Sequence, residues 1–421
     1  MIKKITQQYL NLLLVLFKWL IICLGIGVLV GAAGSLFLNT LQWCTDYREA
    51  NTIIIWGLPI AGFLIGASYH YWGKSVVKGN NQIIDEYHKP QQIIPFKMAP
   101  LVLIGTLGTH LFGGSAGREG TAVQIGAAIS DQFSRFFKID SLDRKIILSL
   151  GVSAGFAAVF GTPLAGAVFA LEVMLIGKIR FEALLPSILV AIIADQACTF
   201  FGGHHTHYLV NEVPEMSLIN LAYIIFAGIL FGITARLFAF GSHFWNNLFK
   251  KYFSYPPLRP VVGGIIIALI VYLMGTTKYI GLGVPVIVDS FSNPTLPYDF
   301  ILKLLFTTFT LGAGFKGGEV TPLFYIGATL GNALIWFIPL PVGILAAVGF
   351  VGVFSGATNT PIACTLMGIE LFGIECDQFI AVGCFTAYLF SGHSSIYGSQ
   401  IIGAAKHPLF KLDKSKLISK L

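Results

Sequence analysis

Two short motifs recur in this chain at nearly one distance, and that duplication restricts the fold more than any other feature. Gly117-Arg118-Glu119-Gly120-Thr121, followed by Ile125-Gly126-Ala127, is matched by Gly317-Gly318-Glu319-Val320-Thr321, followed by Ile326-Gly327-Ala328. Thr162-Pro163-Leu164-Ala165 leading to Glu172 is matched in the same way by Thr360-Pro361-Ile362-Ala363 leading to Glu370. The first pair of glutamates is offset by 200 positions and the second by 198. Two independent matches at almost the same offset indicate a duplicated fold, with the functional site expected where the halves meet.

The surroundings of the motifs identify the solvent. Hydrophobic residues make up 55% of the 421-residue chain and charged residues only 11%, against roughly 25% charged in soluble domains. So much apolar surface cannot be hidden from water with so few charges to cover it, so lipid must bathe much of the exterior. Crossing a bilayer takes about 20 apolar residues. Runs at 10–38, 52–72, 183–201 and 218–240 approach or exceed that length. The first is too long for a signal-peptide core and is expected to be a membrane helix. Shorter runs, among them 99–112, 122–129, 147–160, 164–176, 321–335 and 342–354, are interrupted by glycine. Helices that stop inside a membrane are tolerated only where protein or a polar cavity surrounds their ends, as in transporters and channels.

The formal charge of +7 comes from basic residues scattered between apolar runs, which suits topology signals facing anionic lipid and not a nucleic-acid surface. The connections holding Lys74, Lys78, Lys89, Arg135, Lys138, Arg144, Lys178, Lys250 and Arg259 are basic, whereas 202–217 has no Lys or Arg but carries Glu212 and Glu215. The positive-inside rule then places both termini in the cytoplasm and 202–217 outside. The six cysteines form no CxxC pair and sit mostly in apolar runs, as small buried hydrophobes do. His204, His205 and His207 are read as part of a solvated outer loop, with no metal expected, and His110 and His393 as hydrogen-bonded core residues. No cofactor is called for.

The chemistry lies in Gly113-Gly114-Ser115-Ala116-Gly117-Arg118-Glu119-Gly120-Thr121, which opens an apolar helix. Glycines allow the tight turn, and a helix start carries unpaired N–H groups and partial positive charge that attract an anion. Glu119 brings its own carboxylate to that place, so it competes with a small anion until a proton cancels its charge. First-turn glutamates commonly only stabilise their helix. In a membrane interior, where ionisable groups are costly, a gating role takes precedence. Gly113-Gly114-Ser115-Ala116-Gly117 also fits the Gly-x-Ser-x-Gly pattern of hydrolases, with His110 nearby. That pattern supplies a nucleophile only on a strand-to-helix elbow, and an apolar membrane run precedes it here.

The stretch from Gly114 to Ala128 strongly resembles the gating-glutamate motif of the CLC anion channels and transporters. Gly79-Asn80-Asn81, Gly317-Gly318-Glu319-Val320-Thr321-Pro322 and Tyr397 in Ser395-Ile396-Tyr397-Gly398 follow that family's order, so the resemblance covers essentially the whole chain. It implies an all-α polytopic membrane protein with two inverted-topology repeats of broken and tilted helices, here about 10–200 and 218–405, in a single membrane domain spanning 1–421. It also implies a homodimer with one pathway per subunit, in the inner membrane, and the C-terminal soluble pair of domains found in many relatives is not expected. Against the chloride-handling pattern, Asn80 replaces a serine, Thr121 a proline, and Glu319-Val320-Thr321 an Ile-Phe-Ala. These departures resemble the fluoride-exporting branch, whose members exchange fluoride for protons.

The resemblance gives Glu119 and Glu319 as the gating and proton-coupling pair. It gives Gly79, Asn80, Asn81, Gly117, Arg118, Gly120, Thr121, Val320, Thr321 and Tyr397 as the anion-binding positions. The replacements suit fluoride, which is small, hard and reluctant to give up water, so a dry site must offer compact, strong donors. Chloride/proton exchangers carry a further internal glutamate at the position of Val173; Glu172 beside it, like Glu370, is expected to be structural. A chloride/proton exchanger or chloride channel of the same fold is the alternative, and Asn80, Thr121, Thr321 and Val173 weigh against it.

Overall fold

A computed structural model describes residues 2–409 and 417–418. Its helices fall into two series. The first comprises α1 (Ile2–Ala50), α2 (Leu58–Tyr71), α3 (Asn80–His88), α4 (Met98–Leu111), α5 (Glu119–Phe136), α6 (Ser141–Phe160), α7 (Pro163–Glu172) and α8 (Leu184–Phe200). The second comprises α9 (Leu218–Tyr252), α10 (Leu258–Met274), α11 (Val284–Asp289), α12 (Asp299–Gly312), α13 (Val320–Ala333), α14 (Val342–Thr358), α15 (Pro361–Phe372) and α16 (Asp377–Phe390). In the first series α5 packs on α6 and α1 on α8; in the second α13 packs on α14 and α9 on α16. Two short strands, β1 (Leu175–Ile176) and β2 (Ile401–Ile402), pair in parallel and tie the segment after α16 back to the end of α7.

Among the described residues, four helical stretches are long and apolar enough to cross a membrane: Tyr9–Ala50, Thr52–Tyr71, Phe181–Phe200 and Leu218–Tyr252. They are the four long runs of the sequence, with α1 and α9 extending well beyond them. Helices α4, α7 and α15 have 14, 10 and 12 residues, roughly 15–21 Å at 1.5 Å per residue and short of a ~30 Å hydrocarbon core. Two runs read as fragments prove longer. Residues 122–129 and 147–160 belong to α5 and α6, helices of 18 and 20 residues. Their extra turns carry Ser130, Asp131, Ser134 and Arg144, polar side chains buried against protein, which break an apolar run without breaking the helix.

The halves are locked together by reciprocal caps. The Glu172 carboxylate, at the end of α7, accepts the N–H groups of Ile362 and Ala363 in the first turn of α15, at 3.2 and 2.9 Å. Glu370, at the end of α15, accepts those of Leu164 and Ala165 in the first turn of α7, at 3.0 and 2.8 Å. Each carboxylate thus satisfies donors that a helix start leaves unpaired. The aromatic core follows the same symmetry, with Phe156 and Phe354 stacked at a centroid distance of 6.4 Å. Helices α13 and α14 approach so closely that a Cβ on Gly327 would stand 2.0 Å from the Gly349 carbonyl oxygen, the close backbone contact that small residues permit in membranes.

Glu172→Ala should strand one buried and one part-buried donor and cost about 1–3 kcal/mol. Glu370→Ala should cost less, because Glu370 is partly open to solvent. Thermal unfolding in detergent checks both, and a Glu172→Ala protein as stable as the unmodified one contradicts the account.

Candidate functional site

The duplicated glutamate motifs meet end to end. Gly117, just before α5, and Gly318, just before α13, form an antiparallel bridge in which each N–H donates to the other's carbonyl, at 2.6 and 2.7 Å. Two helix starts therefore lie side by side inside the protein. Glu119, the first residue of α5, is 1% exposed. Its carboxylate crosses to α13, where Oε2 accepts the Thr321 N–H at 3.0 Å and Oε1 the Thr321 hydroxyl at 2.5 Å. Oε2 also accepts the Arg118 N–H at 3.2 Å, and the Arg118 guanidinium forms an ion pair at 3.5 Å. One carboxylate thus occupies a cradle of donors and positive charge that a small anion would equally satisfy.

Around this crossing the other motifs converge. Gly79, with φ +55°, caps the start of α3 and turns the chain so that Asn80 faces α5. A Cβ on Gly120 would lie 3.0 Å from the Asn80 amide nitrogen and 3.5 Å from Glu319 Oε2, so a larger residue would press on the Asn80 amide where those two side chains approach. Asn80 Oδ1 and Glu319 Oε2 are buried without hydrogen-bond partners among the described residues. Buried polar atoms of this kind are costly unless something else satisfies them. Tyr397 shares a small cavity with Asn80, Val123, Phe169 and Val173, so Val173 has mostly apolar neighbours there. Val320 opens α13 and is buried against the same crossing.

Some expected donors are already engaged. The Thr121 hydroxyl pairs with Thr106 at 2.7 Å, and its N–H donates to the Arg118 carbonyl at 3.1 Å. The Gly117 N–H is committed to Gly318. The Gly117 and Thr121 N–H groups are thus spent within the bridge and the first helical turn, while the Thr121 hydroxyl shares its hydrogen bond with Thr106. Asn81 Oδ1 accepts the Ser399 N–H at 2.9 Å, holding α3 to the segment after Tyr397.

Cavities approach the crossing from two faces. On one, a vestibule of about 780 Å³ reaches Glu319 and is lined by Lys74, Lys78, Lys250, Arg259 and Lys316. On the other, a narrow cleft bounded by Arg118, Phe160, Thr206, Tyr208 and Phe324 ends at Glu119 and Thr321. Composition did not choose among 35 phenylalanines, and the structure selects Phe160 and Phe324, whose rings meet at 5.2 Å. Phe324 lies three residues after Thr321, on the same helix face, and that spacing is the signal that points to it. Tyr208 carries no such signal, since it comes from the irregular segment after α8.

The remaining candidates fall away from the site. The Ser115 hydroxyl pairs with Thr307 at 2.8 Å, while His110 Nε2 lies 3.4 Å from the Gly117 carbonyl; the serine and histidine do not meet. His205 is less solvated than expected, with Nε2 3.1 Å from the Ala158 carbonyl. Among the described residues no three His, Cys, Asp or Glu side chains converge as metal ligands.

Comparisons with known proteins give the family and the fold. A family profile described as "voltage gated chloride channel" matches residues 61–392. A "chloride/fluoride channel protein" of Pseudomonas syringae pv. tomato is 50% identical over 406 residues, 95% of this chain and 90% of that one. A crystal structure of a CLC-type fluoride/proton antiporter superposes with a TM-score of 0.89 at 35% identity, covering 91% of this chain and 98% of that one. A slow cyanobacterial Cl−/H+ antiporter, 21% identical with a TM-score of 0.76 over 89% of this chain and 94% of that one, shares the fold.

Thr321→Val keeps the bulk and the backbone N–H but deletes the hydroxyl, so the hold on Glu119 should weaken by about 1.5–3 kcal/mol. A structure of that variant checks it: Glu119 is expected to swing away from α13, and a carboxylate still seated on the second backbone N–H of that helix contradicts the account.

Proposed function

The chain belongs to the voltage-gated chloride channel (CLC) family, and from that membership we propose that it is a membrane-embedded fluoride/proton antiporter that expels fluoride as protons enter. The observation that carries the reading is the Glu119 carboxylate on the Thr321 N–H and hydroxyl. These donors serve the carboxylate or a fluoride ion, and not both. When Glu119 is ionised it holds the cradle shut. When it takes a proton it loses the charge that binds it there, and fluoride can accept the same hydrogen bonds. The proton travels on the side chain that fluoride displaces, so the two movements are opposed by competition for one place.

Fluoride over chloride follows from the donor chemistry. Fluoride concentrates its charge and is dehydrated only where compact donors replace its water. The Thr321 hydroxyl and N–H, the Asn80 amide and the Tyr397 hydroxyl are such donors around the crossing. Glu319, two residues before Thr321 and facing the vestibule, serves as the second carboxylate on the route. The apolar lining at Val173 supports coupling along the anion path in place of the separate internal route of chloride exchangers. The names of the Pseudomonas relative and of the superposed antiporter support the same reading.

The vestibule carries the basic residues that the positive-inside rule assigns to the cytoplasm, so fluoride enters there and leaves through the cleft under Tyr208. In this orientation both termini are cytoplasmic; residues 410–416 and 419–421 lie outside the described part of the chain. The protein is proposed to act in the inner membrane as a homodimer with one pathway per subunit.

Glu119→Gln fixes the neutral state and should abolish coupling. In fluoride-loaded liposomes with clamped potential, a pH electrode outside should record no fluoride-driven proton uptake, whatever the residual anion flux; uptake equal to the unmodified protein's overturns the gate. Asn80→Ser shortens a donor and widens its place, so chloride throughput should rise relative to fluoride. Equal rates for both ions in the unmodified protein would remove the fluoride assignment itself.

A further inference from the structure

Of the cations lining the vestibule, Lys316 has the most elaborate seat. It lies in the turn between α12 and α13, three residues before Glu319, and both side chains face the same cavity. Its ammonium sits 4.0 Å from the ring centroid of Tyr69, a buried residue of α2. Its stem runs against α4, where a Cβ on Gly105 would stand 3.0 Å from the Lys316 Cβ. Three separate elements therefore combine to hold one lysine at the inner end of the vestibule.

The choice of partner is informative. Some cations of the molecule meet carboxylates, as Lys78 does Asp85 at 2.9 Å and Lys278 Asp299 at 2.6 Å; Lys303 and Lys406 lie over Tyr325 and Tyr388 but donate to backbone carbonyls away from the vestibule. Among the described residues no carboxylate lies within ion-pair distance of Lys316. A carboxylate would cancel the charge, whereas an aromatic face orients an ammonium and leaves its charge available to a third party. Glu319 on the same lining is within electrostatic reach, and an anion arriving through the vestibule is the other group that can meet this charge. Among the described residues of the lining, Glu319 is the one carboxylate, against Lys74, Lys78, Lys250, Arg259 and Lys316. A cavity of one sign with low-dielectric walls concentrates the opposite ion.

We propose that Lys316 is the anion-receiving residue of the inner mouth: it takes fluoride from the vestibule and delivers it to the constriction formed by Asn80, Gly120 and Glu319. The role rests on the fluoride-transport reading and adds a specific station to it. Tyr69 is the positioning residue that aims the ammonium inward, and Gly105 leaves room for the stem. Fluoride paired with Lys316 stands beside Glu319, where a carboxylate that loses its charge to a proton no longer repels it.

The test uses everted and right-side-out membrane vesicles containing the full chain, with an imposed proton gradient and fluoride added outside. Lys316→Met keeps the stem and removes the charge. Half-saturating fluoride should rise about fivefold or more when fluoride is supplied from the vestibule face, and stay within twofold from the cleft face. Lys316→Arg should restore the unmodified value. If Lys316→Met fails to accumulate, Lys316→Gln carries the same prediction. An unchanged half-saturation from the vestibule face overturns the proposal, and so does an equal shift from both faces, which a packing defect would produce. Absence of proton-coupled fluoride flux in the unmodified vesicles would instead remove the transport reading itself.

Discussion

The antiparallel bridge between Gly117 and Gly318 is the contact on which the rest of the molecule depends. A helix that begins inside a membrane leaves its first N–H groups without partners, and hydrocarbon cannot supply them. Two such helix starts placed against each other solve part of the problem by pairing backbone with backbone. What remains is a small region of donors with positive character, sealed from lipid by the helices around it. The reciprocal caps of Glu172 and Glu370 repeat the solution at the other pair of broken helices, α7 and α15, with carboxylates in place of the bridge.

The two kinds of glutamate differ by what surrounds them. Glu172 and Glu370 each accept two N–H groups of the opposite half, so they staple. Glu119 accepts donors equally well but stands at the floor of a cleft, and Glu319 keeps an oxygen without a partner among the described residues beside the vestibule. A carboxylate that can exchange its partners is suited to gating. The unsatisfied oxygens of Asn80 and Glu319 are hydrogen-bond acceptors, which a proton on Glu319 would serve and an anion would not.

Charge is arranged in the same economical way. The crossing holds one arginine close to one glutamate, the vestibule an excess of lysine and arginine, and the cleft an aromatic lining of Phe160, Phe324 and Tyr208. An anion on the proposed route is thus gathered on one face by long-range attraction, bound in the middle by short hydrogen bonds, and released between rings that do not hold it. Each stage uses an interaction of different range, which lets the ion move on without a deep trap.

Much of this was legible in the sequence because it depends on local spacing. The repeat at an offset of 200 residues located the crossing, the Gly-x-Glu-x-Thr pattern named both carboxylates and Thr321, and apolar run length picked out the four stretches long and apolar enough to cross a membrane. Where the sequence fell short, the missing information was relational. The Gly117 and Thr121 N–H groups look like free donors until the Gly318 and Arg118 carbonyls are seen to accept them. The polar faces of α5 and α6 read as interruptions because a linear window cannot tell a serine against protein from a serine against lipid. Tyr208 over the cleft and Tyr69 under Lys316 are ordinary aromatics in the chain; their roles exist only because helices distant in sequence bring them there. The sequence by itself determined which groups could hold an anion and a proton, since that chemistry resides in side chains. Only the tertiary structure decided which of those groups remain available, since each hydrogen bond made within the fold removes a donor from the site.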